Sequence, residues 1–479
     1  MFLCINNVDI LLILLYCLLL LAYSSYLWLK FWKNCWTIEN LFLLLILTFY
    51  IFIPINIIVF GGDIYESTLH YYLIPTSKFV SFSSFFITFV FILTFIVGGA
   101  VQGSSLKLVK IYIRTFNGIN LYQVVPYFLA FLSLVSLLIY IQQFGGFSSF
   151  VVNLIINRSG RLDQSLVGQY AFFGRFIDLA IIPIVYFLYE KHKTKRDVMF
   201  LFFMPLGILL FSNLFISISK LKFISLVLLF YLTVSLRQNR LYLQYLFFIF
   251  TVVFFALPVL DEIFILAYKV YDDEGFLAVP FKIASAILSG SLGQGQYESF
   301  LKDNSGNSYL KSVQYFTFIQ MSLQFSIDNS YPLLFFRDFL TGLIRLLPSR
   351  LNIQTGVEVY QLNTSIFYGY YPDLPVLTWG VPPGIIAFGI YSLSVPGVLI
   401  IAFLLGYLFR AADLFFKSIV EIDRSFSSFY AYTLFILGVY TMNGSPKDVI
   451  YDFTFLVFLF VFFLISFRFE ILPSEDTKT

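Results

Sequence analysis

Apolar residues along this chain neither alternate nor recur on one helical face. They run together in long blocks separated by short polar or basic connections. A block that is apolar all round has no water-facing side, and about 20 such residues in a helix cross the hydrocarbon core of a bilayer. Blocks of this kind fall at residues 8–29, 38–60, 79–101, 121–143, 169–189, 198–218, 221–236, 241–260, 384–409, 426–443 and 449–467. The expectation is an all-α polytopic membrane protein with about 11 transmembrane helices. Only residues 261–383 break the rhythm. The chain therefore divides into a first helical part (1–260), a large partly helical loop (261–383), and a last helical part with a tail (384–479).

Composition strengthens this picture. The 479 residues are 59% hydrophobic and 12% charged, with a mean hydropathy of +0.87, where a soluble domain carries about 25% charged residues. A net charge of +3 gives no reason to expect nucleic acid as a partner. Cys4, Cys17 and Cys35 form neither a disulfide framework nor a metal-binding spacing, so no metal or cofactor is expected. The first apolar block is too long for a cleaved signal and lacks a basic start, which makes it a retained anchor.

Basic residues set the sides. Every second connection, counted from the first block, carries Lys30 and Lys33; Lys107, Lys110 and Arg114; Lys191, Lys193, Lys195 and Arg196; Arg237 and Arg240; Arg410, Lys417 and Arg424. Arg468 and Lys478 follow the last block. The alternate short connections hold only Lys78, Arg158, Arg161, Lys220, Lys222 and Lys447. Cytoplasmic loops collect Lys and Arg, so the first set faces the cytoplasm, the N-terminus lies outside and the C-terminus inside. The segment 261–383 then faces outward, where neither ATP nor nucleotide sugars are available.

That segment has helical stretches at 281–292, 308–325 and 333–347, bounded by Gly, Asn or Pro. In the last of these, Arg337, Thr341 and Arg345 recur every four residues and are expected to form a polar stripe on an apolar cylinder, with Arg350 just beyond Pro348. One reading is an interfacial helix whose arginines reach lipid headgroups. The other is a cationic cradle for a diphosphate, since a guanidinium grips phosphate oxygens with two prongs. Further outward cations favour the second: Arg158, Arg161 and Arg175 around the fifth block, and Lys220 and Lys222 at the tight hairpin "SISKLK". The aromatic run 365–384 suits either the membrane interface or sugar stacking. A transfer reaction that activates a hydroxyl would want one carboxylate as general base. Spacing selects none of the loop carboxylates, and Glu358, eight residues after Arg350, is taken as the candidate.

Four features in order resemble the oligosaccharide repeat unit polymerases of bacterial envelopes, the O-antigen and capsule polymerases. They are the Arg-bearing loop "NRSGRLDQSLVGQYAFFGRFIDLAIIP", the hairpin "FISISKLKFISL", the basic-Pro-basic stretch "LIRLLPSRLN", and the glycine-punctuated "PPGIIAFGIYSLSVPGVLIIAFLLGYLFR". They span roughly residues 150 to 410. The hairpin departs from many relatives in carrying Lys220 and Lys222 in place of Arg, and lysine lacks the two-pronged contact. The resemblance implies a metal-independent glycosyltransferase with a GT-C-like helical bundle in the bacterial inner membrane. Its substrates would be polyprenyl diphosphate-linked oligosaccharides at the outer leaflet, with a chain-length regulator and a flippase as membrane partners. It also implies that Arg345 and Arg350 act at the reacting centre and that Arg158, Arg161, Lys220 and Lys222 bind the diphosphate, to which the cradle reading adds Arg337. An O-antigen ligase is disfavoured because residues 261–383 contain no histidine. A lipid-linked oligosaccharide transporter is disfavoured because the two halves show no repeat.

Overall fold

The computed structural model describes residues 7–33, 36–60, 80–105, 109–113, 115–116, 119–143, 145–147, 149–150, 171–187, 194–212, 220–242, 244–249, 278–289, 308–329, 331–344, 357–367, 381–446, 449–450 and 467–471. Helix α1 (Asn7–Lys33) is followed by α2 (Ile38–Leu47), which passes through a π-helical turn (Thr48–Phe52) into α3 (Ile53–Phe60). Next come α4 (Phe82–Ser105), strands β1 (Val109–Ile113), β2 (Thr115–Phe116) and β3 (Ile119–Asn120), and α5 (Leu121–Gln142). A helical stretch of α6 (Ala171–Ile177), a 3-10 turn (Asp178–Ala180) and α7 (Ile181–Phe187) precedes α8 (Lys195–Val198), a π turn (Met199–Phe203) and α9 (Met204–Phe211). Then follow α10 (Lys220–Gln238), α11 (Ala278–Leu288), α12 (Ser308–Asp328), α13 (Arg337–Ile344), α14 (Val359–Phe367), α15 (Ile385–Ile422), α16 (Ser427–Phe435) with a π turn (Ile436–Tyr440), and β4 (Phe467–Ile471).

Among the described residues, five helices are long and apolar enough to cross a membrane: Val8–Phe31, Ile38–Val59, Phe82–Gln102, Gln123–Gln142 and Ile385–Ile422. The first four coincide with expected blocks, and the last overlaps the block expected at 384–409 but runs on to Ile422. The blocks at 169–189, 198–218, 221–236 and 426–443 are helical in their described parts. Most of 241–260 and 449–467 lies outside the described residues. The body of the chain is helical, as expected. Two short antiparallel ladders, β1 with β4 and β2 with β3, add to it.

The chain forms two compact units: Met1–Arg114 with Tyr309–Phe426 and Thr433–Thr479, and Thr115–Ser308 with Ser427–Tyr432. The second is built on α5, which packs against α6, α7 and α9. Ala130, Tyr186 and Leu201 form its buried centre, and the Tyr127 hydroxyl donates to Asp197 at 2.9 Å.

The first unit is organised by α4 and α15. An added Cβ on Gly406 would lie 2.0 Å from the Phe95 carbonyl oxygen, and one on Gly98 would lie 2.2 Å from that of Phe403. Small residues here let two apolar helices meet backbone to backbone, the usual means of packing where lipid removes any hydrophobic drive between helices. Phe42, Phe95 and Phe409 close the same crossing, with ring centroids 5.1 to 6.1 Å apart.

Helix α15 differs from the single span expected at 384–409. It is broken at Leu393 (φ −147°, ψ 27°) and Ser394 (φ 57°, ψ −146°), just before Pro396. In a straight helix, residues 389 and 397 would sit about 12 Å apart along the axis. Here a Cβ on Gly397 would fall 2.2 Å from the Gly389 carbonyl oxygen. The chain therefore folds back sharply, and a half-helix (residues 385–392), buried at every position, lies against the start of the long apolar helix that follows.

Candidate functional site

Helix α13 presents a polar face inward. Asp338 and Thr341 are 1% and 2% exposed, and Gly342 is buried with them. Arg337 lies outside that face and is exposed, so the stripe expected to join Arg337 to Thr341 is split. The reason is helical geometry: at 100° per residue, positions 338, 341 and 342 share a face whose edge position 337 only borders.

Asp338 is held there by a partner 21 residues on. Its two carboxylate oxygens accept from the Val359 backbone N–H at 3.1 and 3.3 Å. It thereby caps the first turn of α14, where the free N–H groups of a helix attract negative charge. Glu358 occupies the capping position itself, 4% exposed, with its carbonyl accepting from Leu362 N–H at 3.0 Å. Two buried acidic residues thus stand at one helix start, Asp338 bonded to its first N–H and Glu358 preceding it in the chain, and Arg337 is the exposed neighbour of Asp338.

Helix α14 was not expected from the sequence, and it carries most of the polar network. Asn363 donates to Ser322 Oγ (3.0 Å) and to the Val381 carbonyl (2.9 Å), and its own oxygen accepts from the Tyr391 hydroxyl (2.9 Å). Thr364 Oγ1 accepts from Val381 N–H at 2.9 Å. Gln324 joins Ser81, at the start of α4, to Asp328. Residues 319–326 of α12 are buried throughout, and the hydrogen bonds of Ser322, Gln324 and Ser326 offset the cost of burying those polar side chains.

This assembly reaches into the bundle. Ile386 N–H donates to the Tyr50 hydroxyl at 3.4 Å, and Gly384 N–H to the Asn443 carbonyl at 3.0 Å. Tyr50 sits in the π turn near the middle of the Ile38–Val59 helix, about 18 Å from one end and about 14 Å from the other. A cavity of about 250 Å³ opens at the break in α15, lined by Ile87, Ser326, Asn329, Tyr331, Leu333, Ile390 and Ser394, among others. Burial pushes the Tyr331 phenol well above its ordinary range. It stays neutral and donates to the Ser326 carbonyl.

Of the residues singled out from sequence, Arg337 and Glu358 belong to this assembly. Arg158, Arg161, Arg345 and Arg350 lie outside the described residues. Lys220 and Lys222 stand in the first turn of α10, within the other compact unit. Sequence reasoning missed Asn363, Ser322 and Tyr391, for "VYQLNTSIF" reads as a polar interruption unless its partners are known.

It also missed a charged cluster at the opposite end of α4. Asp413 (0% exposed) accepts from Ile38 N–H at 2.7 Å and Glu39 N–H at 3.2 Å, capping α2 together with Thr37. Glu39 pairs with Lys30, and Arg410 stands 3.8 Å from it. The available signal was the "TIEN" cap ahead of an apolar run.

Among the described residues, five helices long and apolar enough to cross a membrane give the chain the make-up of a membrane protein. No protein-family model, curated protein or solved structure matches the chain.

Proposed function

We propose that the protein is a polysaccharide polymerase of the bacterial inner membrane, a metal-independent glycosyltransferase that joins polyprenyl diphosphate-linked repeat units at the outer leaflet. In this reading about 11 spans form a GT-C-like bundle, with the N-terminus outside and the C-terminus in the cytoplasm. Segments placed on one side by their charge meet one another, which supports the topology. β1, after α4, pairs with the C-terminal β4. Lys30 and Arg410 converge on Glu39. At the other end, Gln324 of the long loop bonds Ser81.

The observation that carries the reading is the presence of two buried acidic residues, Asp338 and Glu358, at one helix start, with Arg337 the exposed neighbour of Asp338. Glu358 takes the proton from the acceptor hydroxyl as the new glycosidic C–O bond forms. The bond from the donor sugar to its diphosphate breaks, and polyprenyl diphosphate leaves. Arg345 and Arg350 stabilise the charge developing on that leaving group, and Arg337 holds the diphosphate. Asp338 fixes the start of α14 and with it the position of Glu358.

Deleting the protein and resolving surface glycan on a gel tests this. A polymerase predicts collapse of the ladder to a single capped repeat unit. Loss of that single-unit band as well would instead indicate a ligase or a flippase. Glu358→Gln and Arg345→Ala each predict loss of long chains with the protein still in the membrane, and normal ladders from both would refute these roles.

A further inference from the structure

A surface helix in water buries its apolar face and exposes its polar one. Helix α13 does the reverse. Asp338 and Thr341 point inward, while Phe339, Leu340 and Leu343 are 43%, 58% and 55% exposed. Phe335, just before the helix, is 69% exposed.

The chain is held firmly in this arrangement. Phe335 and Phe336 have φ of 46° and 56°, a left-handed conformation that is costly for aromatic residues and persists only where surroundings enforce it. Backbone bonds do so: Leu334 N–H to the Tyr391 carbonyl (3.0 Å) and Phe335 N–H to that of Ser392 (2.9 Å). The turn sends Phe336 inward, its ring 6.1 Å from Phe388, and leaves Phe335 outside.

What covers this face follows from its neighbours. On α15, Val395, Leu399, Leu404 and Leu408 form an exposed apolar stripe, and on α4 so do Phe82, Phe86, Phe89, Leu93 and Val97. These are the outward faces of helices long enough to cross a membrane. Leu333 and Val395, both exposed, line one cavity with Ile87 of α4. The exposed segment that leads into α13 therefore meets the apolar faces of both spans at this cavity, and Phe339 of α13 packs 5.9 Å from Phe388 of the half-helix that precedes the long part of α15. That segment begins where α15 turns into its long helix, and Arg337 stands at the edge of the apolar face of α13.

We infer that α13 is an interfacial membrane helix, seated in the leaflet at the Phe82 end of α4. Its Phe335, Phe339, Leu340 and Leu343 lie among acyl chains, with Arg337 at the level of the lipid phosphates. The inference rests on the spans and not on the glycosyl chemistry, so the two stand or fall separately. Such a helix would let a lipid-borne substrate approach the adjoining assembly from within the leaflet.

The test uses the full chain with Cys4, Cys17 and Cys35 replaced by serine, in vesicles of phosphatidylethanolamine and phosphatidylglycerol. Bimane is attached at Leu340→Cys, Leu343→Cys, Arg337→Cys or Leu404→Cys, and quenching by doxyl-labelled lipid is compared with quenching by iodide. At 340 and 343 the lipid-to-iodide ratio should match that at 404 and exceed that at 337 at least about threefold, as burial of one helix face below the headgroups requires. Equal iodide quenching at 340 and 337 would overturn the inference. So would protection from both quenchers with excimer formation between pyrene-labelled copies, which would make the face a contact between chains. Should the cysteine variants not fold, Leu340→Trp read with brominated lipid gives the same decision.

Discussion

Removing the carboxylate of Asp338 should loosen α14 without unfolding the rest of the protein. The side chain accepts the Val359 N–H through both oxygens, and residues 338 and 359 are both buried. No water replaces the lost acceptor in Asp338→Ala. A buried N–H stripped of a charged partner, at a helix start, costs about 2 kcal/mol. Since 1.4 kcal/mol is tenfold in an equilibrium constant, local opening of α14 should rise about 30-fold. Asp338→Asn keeps an acceptor oxygen and loses only the charge, so its effect should be about fivefold, near 1 kcal/mol. Hydrogen exchange on the protein in nanodiscs reads this directly, in the amides from Leu362 to Phe367. Amides of α5, in the other compact unit, serve as the reference. Unchanged exchange in α14 of Asp338→Ala would show that this carboxylate does not hold the helix, and would remove the argument that it positions Glu358.

Three further outcomes follow from the packing. Gly397→Ala places a methyl group 2.2 Å from a backbone oxygen, so thermal stability in detergent should fall by about 1–3 kcal/mol or more; Gly207→Ala, with nothing within 4 Å, should be neutral or gain up to about 1 kcal/mol in its helix. Asp413→Ala strips the acceptor from Ile38 and Glu39 N–H and should cost about 2–5 kcal/mol, with Asp413→Asn recovering a large part, measured as the temperature of half-loss of the monodisperse peak on size exclusion. Tyr391→Phe leaves the Asn363 oxygen without its 2.9 Å donor and should cost about 1–3 kcal/mol, and it should also raise hydrogen exchange in α14.

Much of the fold was open to reading from the chain. The apolar blocks beginning at 8, 38, 79 and 121 became long helices within a few residues of their expected starts, the block at 384 is split by the break at Leu393–Ser394, and α11 and α12 stand where loop helices were expected. Glu358 and Arg337 were named from sequence, Glu358 with no spacing to select it, and nothing in the sequence grouped them. Their grouping depends on Asp338 bonding a residue 21 positions away.

Sequence by itself determined that this chain forms long apolar helices of the kind membranes hold, and roughly where they lie. Length and apolarity are properties of a contiguous stretch, and a helix that satisfies its own backbone needs no distant partner to be stable in hydrocarbon. Tertiary structure alone decided three things: that α15 doubles back at Leu393–Ser394, that α13 turns its polar face inward, and that "LNTS" of α14 is buried. Glycines and Pro396 permit a break but do not demand one; the contact of Gly389 with Gly397 is what the fold-back is built on. A buried asparagine or aspartate is tolerable only when its partners arrive, and Ser322, Val381, Tyr391 and Val359 arrive from other parts of the chain.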